Sequence, residues 1–181
     1  MKLKYGIMVI DKYGVTLCRL TEDKIELVRN WRNDPKISKY MEFRDHITVE
    51  MQQKWFKKID NNCNYYFIIE VNGVEIGLVN IRDINYQERE GEGGIFIYDD
   101  SYLNSMVSFQ TALAINDFCF EELGLKRIIA HIMSDNKRAI DYNKHQGYKI
   151  QPNQEGIMNQ LYHLSKEDYF EKRKKIVRLF E

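Results

Sequence analysis

The spacing of apolar residues changes period several times along the chain, and each change marks an element. Residues 14–20 alternate as a short strand that ends at Thr21, an N-cap residue type. Ile25, Val28 and Trp31 then recur every three residues, and Leu27 lies four before Trp31, which predicts a helix over 22–33. Asp34-Pro35 ends it, because the residue before proline avoids the α region. A second helix is expected after Thr48, with Met51, Trp55 and Ile59 on one face and Phe56 beside them. The period then falls to two. Residues 65–71 and 74–84 are rich in β-branched and aromatic side chains, and Asn72-Gly73 between them is a strong hairpin signal. The polar, glycine-containing stretch 89–94 reads as a loop, and 95–98 as the next strand.

A long helix follows over 107–123, with Ala112, Ile115, Phe118 and Cys119 in one stripe and Gly124 as its terminator. Residues 126–133 read as a strand buried on both faces. Residues 136–145 read as a helix with Gly147 just past its end, and 157–164 as a further strand. Ser165 is placed to cap a last helix with Glu167 and Asp168 in its first turn, and the basic run 172–175 near its end suits the helix dipole. Early antiparallel hairpins followed by a strand–helix–strand unit predict an α+β fold with a mixed central sheet of about six to seven strands flanked by helices.

Composition narrows the class. The chain has 181 residues, one domain's worth, so residues 1–181 are expected to form a single domain. Twenty-seven Lys plus Arg balance 27 Asp plus Glu, which argues against a nucleic-acid partner held by bulk charge. The apolar patch at Ile7–Ile10 is ended by Asp11 and Lys12, too soon for a leader or a membrane span, so a cytoplasmic protein is expected. Cys18, Cys63 and Cys119 are odd in number and widely spaced, which fits neither a disulfide framework nor a zinc ribbon, and no metal is expected.

The run Phe120-Glu121-Glu122-Leu123-Gly124-Leu125-Lys126-Arg127-Ile128 resembles the helix-to-strand junction of the GCN5-related N-acetyltransferases, the GNAT superfamily. The segment from Asn136-Lys137-Arg138-Ala139-Ile140 to Gly147-Tyr148 is similar to that family's N-x-x-A-I-x-x-Y-x-K-x-G-F helix, and the element order matches over nearly the whole chain. Arg29-Asn30-Trp31-Arg32-Asn33-Asp34-Pro35, followed by Tyr40-Met41, resembles the ribosomal-protein acetyltransferase-like branch, and within it the pseudaminic-acid pathway enzymes that acetylate a nucleotide-linked amino sugar.

The resemblance implies acetyl-CoA as acyl donor, lying in a splay between two strands. Its pantetheine would pair with the backbone of Phe96 and Ile97, and its pyrophosphate would sit on the loop Asn104, Ser105, Met106 and the helix start Val107, Ser108. Asn136 is a further cofactor candidate, and helix capping would account for it equally. Two positions depart from the family pattern. Asn104 and Met106 stand where its loop has glycine, and Asn143 stands where it often has a tyrosine that protonates the departing thiolate. Glu92 is the candidate base for the acceptor amine, with a solvated place in the charged stretch 88–92 as the equal alternative. His131 reads as a core histidine.

The resemblance also assigns Arg32, Asn33, Tyr40 and Met41 to the acceptor side, where the Arg fork suits phosphate and the apolar groups suit a deoxy-sugar or a base. The expected activity is direct N-acetyl transfer to a primary amine of a small substrate, with no membrane partner and homodimerisation open. A protein N-terminus or an aminoglycoside is the alternative acceptor, and a cofactor-free GNAT-like binding domain is the alternative from another class.

Overall fold

The computed structural model of the chain describes residues 2–4 and 6–179, so the expected domain limits at 1 and 181 lie outside it. One mixed sheet runs through the molecule. Its strands are β1 (Lys2–Lys4), β2 (Ile7–Lys12), β3 (Val15–Arg19), β4 (Tyr65–Val71), β5 (Val74–Asn85), β6 (Glu90–Ile97), β7 (Arg127–Met133), β8 (Lys149–Ile150) and β9 (Asn159–Ser165). They lie in the order β1-β2-β3-β4-β5-β6-β7-β9-β8, nine strands rather than six or seven. Among the described residues only β6 and β7 pair in parallel.

The added strands come from segments whose sequence signal is weak. Ile7–Lys12 is a strand because Lys2–Lys4 and Val15–Arg19 lie on either side of it, with Lys4 opposite Ile7 and Lys12 opposite Val15. Tyr13 and Gly14 turn the chain with φ of 56° and 78°, the signature of a two-residue hairpin turn, although Tyr is not a residue that advertises one. The Asn72-Gly73 hairpin forms as the sequence requires, with Val71 opposite Val74 and φ of 51° and 79°.

Helices cover both faces. On one lie α1 (Ile25–Asn33), the single turn α2 (Pro35–Ser38) and α3 (Val49–Ile59). Ile25, Val28 and Trp31 of α1 and Phe56 and Ile59 of α3 pack on Tyr66, Ile68 and Leu78. On the other lie α4 (Val107–Asp117), α5 (Lys137–Gln146) and α6 (Lys166–Val177). Leu113, Ala114, Phe118 and Tyr169 close that larger core against Leu17, Phe67, Ile81 and Ile128.

Several local expectations need correction. Thr21 does not cap with its side chain. Its hydroxyl donates to Asp23 Oδ1 at 2.6 Å, and residues 22–24 form a 3-10 turn before α1. Met51 faces solvent, and Gln52 takes the buried position instead, its Nε2 donating to the Ile25 carbonyl at 2.8 Å. The stretch 89–94 is mostly strand, not loop. Gly91, Gly93 and Gly94 are there because neighbours approach closely, and a Cβ at Gly94 would lie 2.9 Å from Asn80 Oδ1. The long helix 107–123 closes with a π turn over Phe118–Glu122 before Gly124 at φ 67°. β7 alternates rather than burying both faces, and His131 is on its exposed set.

Two helix starts match their signals. Asp34 Oδ1 accepts from Lys36 N at 2.9 Å, so the proline that ends α1 opens α2. Ser165 Oγ accepts from Asp168 N at 3.0 Å.

Candidate active site

β6 and β7 separate partway along. They pair at Glu90–Arg127, Gly91–Ile128 and Glu92–Ile129. Beyond that point β6 pairs only with β5 and β7 only with β9, so residues 93–97 present one backbone edge to an open wedge. Such an edge offers carbonyl and N–H groups to an extended amide-bearing ligand. Phe96 and Ile97 lie on this stretch. The Phe96 ring turns toward α1, edge-on to Trp31 at 6.2 Å, and Ile97 points into the opposite core, so only their backbone is available to the wedge.

The wedge opens toward the start of α4. Ser105 Oγ accepts from Val107 N at 3.2 Å and donates to the Tyr102 carbonyl at 2.7 Å. Ser108 and Phe109 N–H, in the first turn, have no carbonyl four residues back within the helix. Asn104 and Met106 N–H make no backbone hydrogen bond among the described residues. A helix start with free N–H groups is a site for an anion. The residues that replace glycine do not spoil it. Met106 has φ −76°, and neither Asn104 nor Met106 is among the residues with positive φ, so no glycine is needed for the turn. Both side chains are exposed.

α5 buttresses this loop. Arg138 donates to the Leu103 carbonyl, and Tyr142 Oη donates to the Ser108 carbonyl at 2.7 Å with its ring against Phe109. Burial pushes the Tyr142 hydroxyl well above the usual phenol range. Asn136 Oδ1 accepts from Ala139 N at 3.1 Å, the capping role its sequence position allowed. Asn143 Nδ2 donates to the Ala139 carbonyl at 2.8 Å. Tyr142 falls one residue before the family's tyrosine position, which on a helix turns it elsewhere, and Arg138 carries no sequence signal beyond its place in the Asn136 helix.

On the α1 face of the sheet, charge gathers where the wedge begins. Glu92 is not solvated: its side chain is 15% exposed, Arg82 Nη2 donates to its Oε1 at 2.7 Å, and His131 Nδ1 lies 3.2 Å from the same oxygen. Asn80 sits on the same face, opposite both Tyr66 and Gly94. Arg32 approaches from α1, and burial lowers its guanidinium from the ordinary arginine value. Among the described residues, Arg32 Nε and Asn80 Nδ2 are buried donors with no partner.

The remaining acceptor candidates are placed differently. Asn33 holds the loop before α3: its Nδ2 donates to the Ile47 carbonyl at 2.9 Å and its Oδ1 accepts from Ile47 N at 2.8 Å, so both amide ends are occupied. Tyr40 is exposed and Met41 half-buried on the segment between α2 and that loop. A cleft of about 420 Å³ lies beside α1 and α2, lined by Leu27, Trp31, Lys36, Glu75, Tyr98 and Asp99–Asp100. Trp31 stacks on Tyr98 at 5.4 Å.

The family profile of the acetyltransferase (GNAT) domain matches residues 15–149. The chain is 24% identical over 140 residues to spermidine N(1)-acetyltransferase of Escherichia coli K12, covering 77% of this chain and 75% of that one. It is 25% identical over 123 residues to acetyltransferase PseH of Campylobacter jejuni, covering 67% and 74%. Its fold is similar to that of Vibrio cholerae spermidine N-acetyltransferase solved with CoA and spermine, at TM-score 0.76 and 21% identity, over 87% of this chain and 98% of that one. The split sheet, the open helix start and the match over most of the chain agree: the chain belongs to the GNAT acetyltransferase family and is an acyl-CoA-dependent N-acetyltransferase.

Proposed function

We propose that the acceptor is the amine of a nucleotide-linked amino sugar. The observation that carries this reading is the pair of buried, unpartnered donors, Arg32 Nε and Asn80 Nδ2, on the face where Glu92 stands. Buried donors without partners are costly, by about 1–3 kcal/mol each, and a ligand oxygen would relieve them. A sugar ring and its phosphates are dense in such oxygens. The carboxylates nearby already have cations or donors: Glu92 has Arg82, Glu75 has Lys24 at 2.7 Å, Asp100 has Lys36 at 3.3 Å, and Asp99 accepts from Ser101. A polycation would find few of them unmatched.

Acetyl-CoA fits the wedge on this reading. The backbone of Phe96 and Ile97 pairs with pantetheine, and Asn104, Ser105, Met106, Val107 and Ser108 form the pyrophosphate cradle with Arg138 and Asn136 at its rim. Arg32, Tyr40 and Met41 contact the acceptor, and Asn33 acts indirectly by fixing the loop at Ile47. Glu92 serves deprotonation of the acceptor amine. Asn143, whose Nδ2 donates to the Ala139 carbonyl, is the candidate partner of the departing thiol. The neutral amine attacks the thioester carbonyl, which backbone N–H groups polarise. The C–N bond forms, the C–S bond breaks, and the second amine proton ends on sulfur.

The test is CoA release with a panel of acceptors: a UDP-linked 4-amino-4,6-dideoxyhexose, spermidine, an aminoglycoside and an N-terminal peptide. The nucleotide sugar should give the highest kcat/KM, and Arg32→Gln should raise its KM with the KM for acetyl-CoA unchanged. Turnover of spermidine with none of the nucleotide sugar would sink the proposal. That outcome would favour a polyamine acceptor, for which the cleft bearing Glu75, Asp99 and Asp100 is the supporting feature.

A further inference from the structure

We infer that His131, beside Glu92, is the group that takes the proton from the acceptor ammonium, through Nε2. The inference rests on the amine-acetylation reading and not on which amine is used. His131 lies two residues beyond Ile129, the last β7 residue paired with β6, and so stands on the separated part of β7 at the mouth of the wedge. Residues 127, 129, 131 and 133 of β7 face the α1 side, since Ile128, Ala130 and Ile132 enter the opposite core. Its Nδ1 is 3.2 Å from Glu92 Oε1 across the opening, and its ring is 38% exposed. No protein group bonds Nε2 among the described residues. A carboxylate at that distance favours the proton on Nδ1, which leaves the Nε2 lone pair outward.

The neighbours suit this task. Arg82 is matched by Glu92, and Arg127 by Glu90, so neither cation stands unbalanced against an imidazolium. His163 faces the same side from β9; burial, with Arg127 beside it, lowers it from the ordinary histidine value and keeps it neutral near pH 7. Glu92 is a positioning group on this assignment. An ordinary imidazole titrates near ~6.5 and an ordinary carboxylate near ~4.3, so an imidazole is the better match to an amine that must lose its proton near neutrality. The proton passes from the ammonium to Nε2 and from there to water. Of the two hydrogens left on the amine, one passes to the CoA sulfur after the C–N bond forms and the other stays on the amide nitrogen.

Two measurements test the assignment. In the CoA-release assay with the panel acceptor that turns over, His131→Gln should lower kcat by about 100-fold, the low end of a general base's contribution. The KM for acetyl-CoA should hold, and the acid limb of the pH profile should disappear. Added imidazole should restore part of the rate of His131→Ala. Glu92→Gln should keep the limb and lower kcat less than His131→Gln does, because the imidazole remains and only its neighbour is changed. A His131→Gln enzyme with the wild-type rate and limb overturns the inference. Separately, long-range 1H–15N spectra of the histidine-labelled protein need no acceptor. Neutral His131 should show the Nδ1-protonated tautomer and lose that preference in Glu92→Gln. An Nε2-protonated tautomer in the wild type overturns the inference even if no panel acceptor is turned over, which is the result that would fail the amino-sugar reading instead.

Discussion

Replacing Gly77 with alanine should displace β6, the strand proposed to hold the acyl donor. Gly77 lies on β5 opposite Ile97 of β6, where Tyr98 N also reaches back to the Ile76 carbonyl at 2.7 Å. A Cβ at Gly77 would fall 2.3 Å from the Phe96 carbonyl oxygen and 3.0 Å from the Ile97 Cα. Carbon and oxygen normally stand about 3.3 Å or more apart, so the shortfall is about 1 Å. Both atoms met are main chain and cannot rotate aside, so β6 itself must move. Overpacking of this kind costs about 1–3 kcal/mol, which at about 2–4 °C per kcal/mol lowers Tm by roughly 2–12 °C. Misplacing a binding edge by about 1 Å can cost about 100-fold in function.

Gly91→Ala supplies the control. Its Cβ would meet only side chains, Ile84 Cγ1 at 3.0 Å and Ile81 Cδ1 at 3.1 Å. It should lower Tm and leave β6 in place. Calorimetric titration of CoA with thermal unfolding of both variants separates the effects. Gly77→Ala should lose Tm and CoA affinity together, and Gly91→Ala should lose Tm alone. Wild-type CoA affinity in Gly77→Ala, or equal loss in both variants, would refute the argument that backbone displacement at β6 is what matters.

Three further outcomes are expected. Asp117→Ala should destabilise the fold by about 3–5 kcal/mol in urea unfolding, because the fully buried Asp117 carboxylate accepts from Tyr169 Oη and Tyr13 Oη at 2.6 Å each and pairs with Arg173 Nε at 2.9 Å. Burial, and then the hydrogen bond to Asp117, pushes the Tyr13 hydroxyl up to about 12. A raised value in the folded state gives stability that is complete below about pH 10 and lost as pH rises toward 12, so the urea midpoint should fall over that window and fall less steeply in Tyr13→Phe. Asn33→Ala should release the Ile47 backbone, raise the acceptor KM several-fold and leave CoA affinity unchanged in the same titration.

Local signals in the sequence determined much of the architecture. Asn72-Gly73, Asp34-Pro35, Ser165 and Gly147 are short-range devices whose physics acts within a few residues, and each forms as its chemistry requires. The start of α4, the proposed seat of the pyrophosphate, was legible for the same reason, since a helix start is a local structure. What depended on partners was not legible. Residues 89–94 look like a loop until β5 and β7 stand beside them, and Ile7–Lys12 is a strand because β1 and β3 flank it. Glu92 and His131 are 39 positions apart, and only the parallel pairing that ends at Glu92 and Ile129 brings them face to face. Arg32 and Asn80 become unpartnered donors only when α1 closes over the sheet. Periodicity assigns a face within one element, but contact between faces is set by register and by where two strands part, and tertiary packing alone decides both.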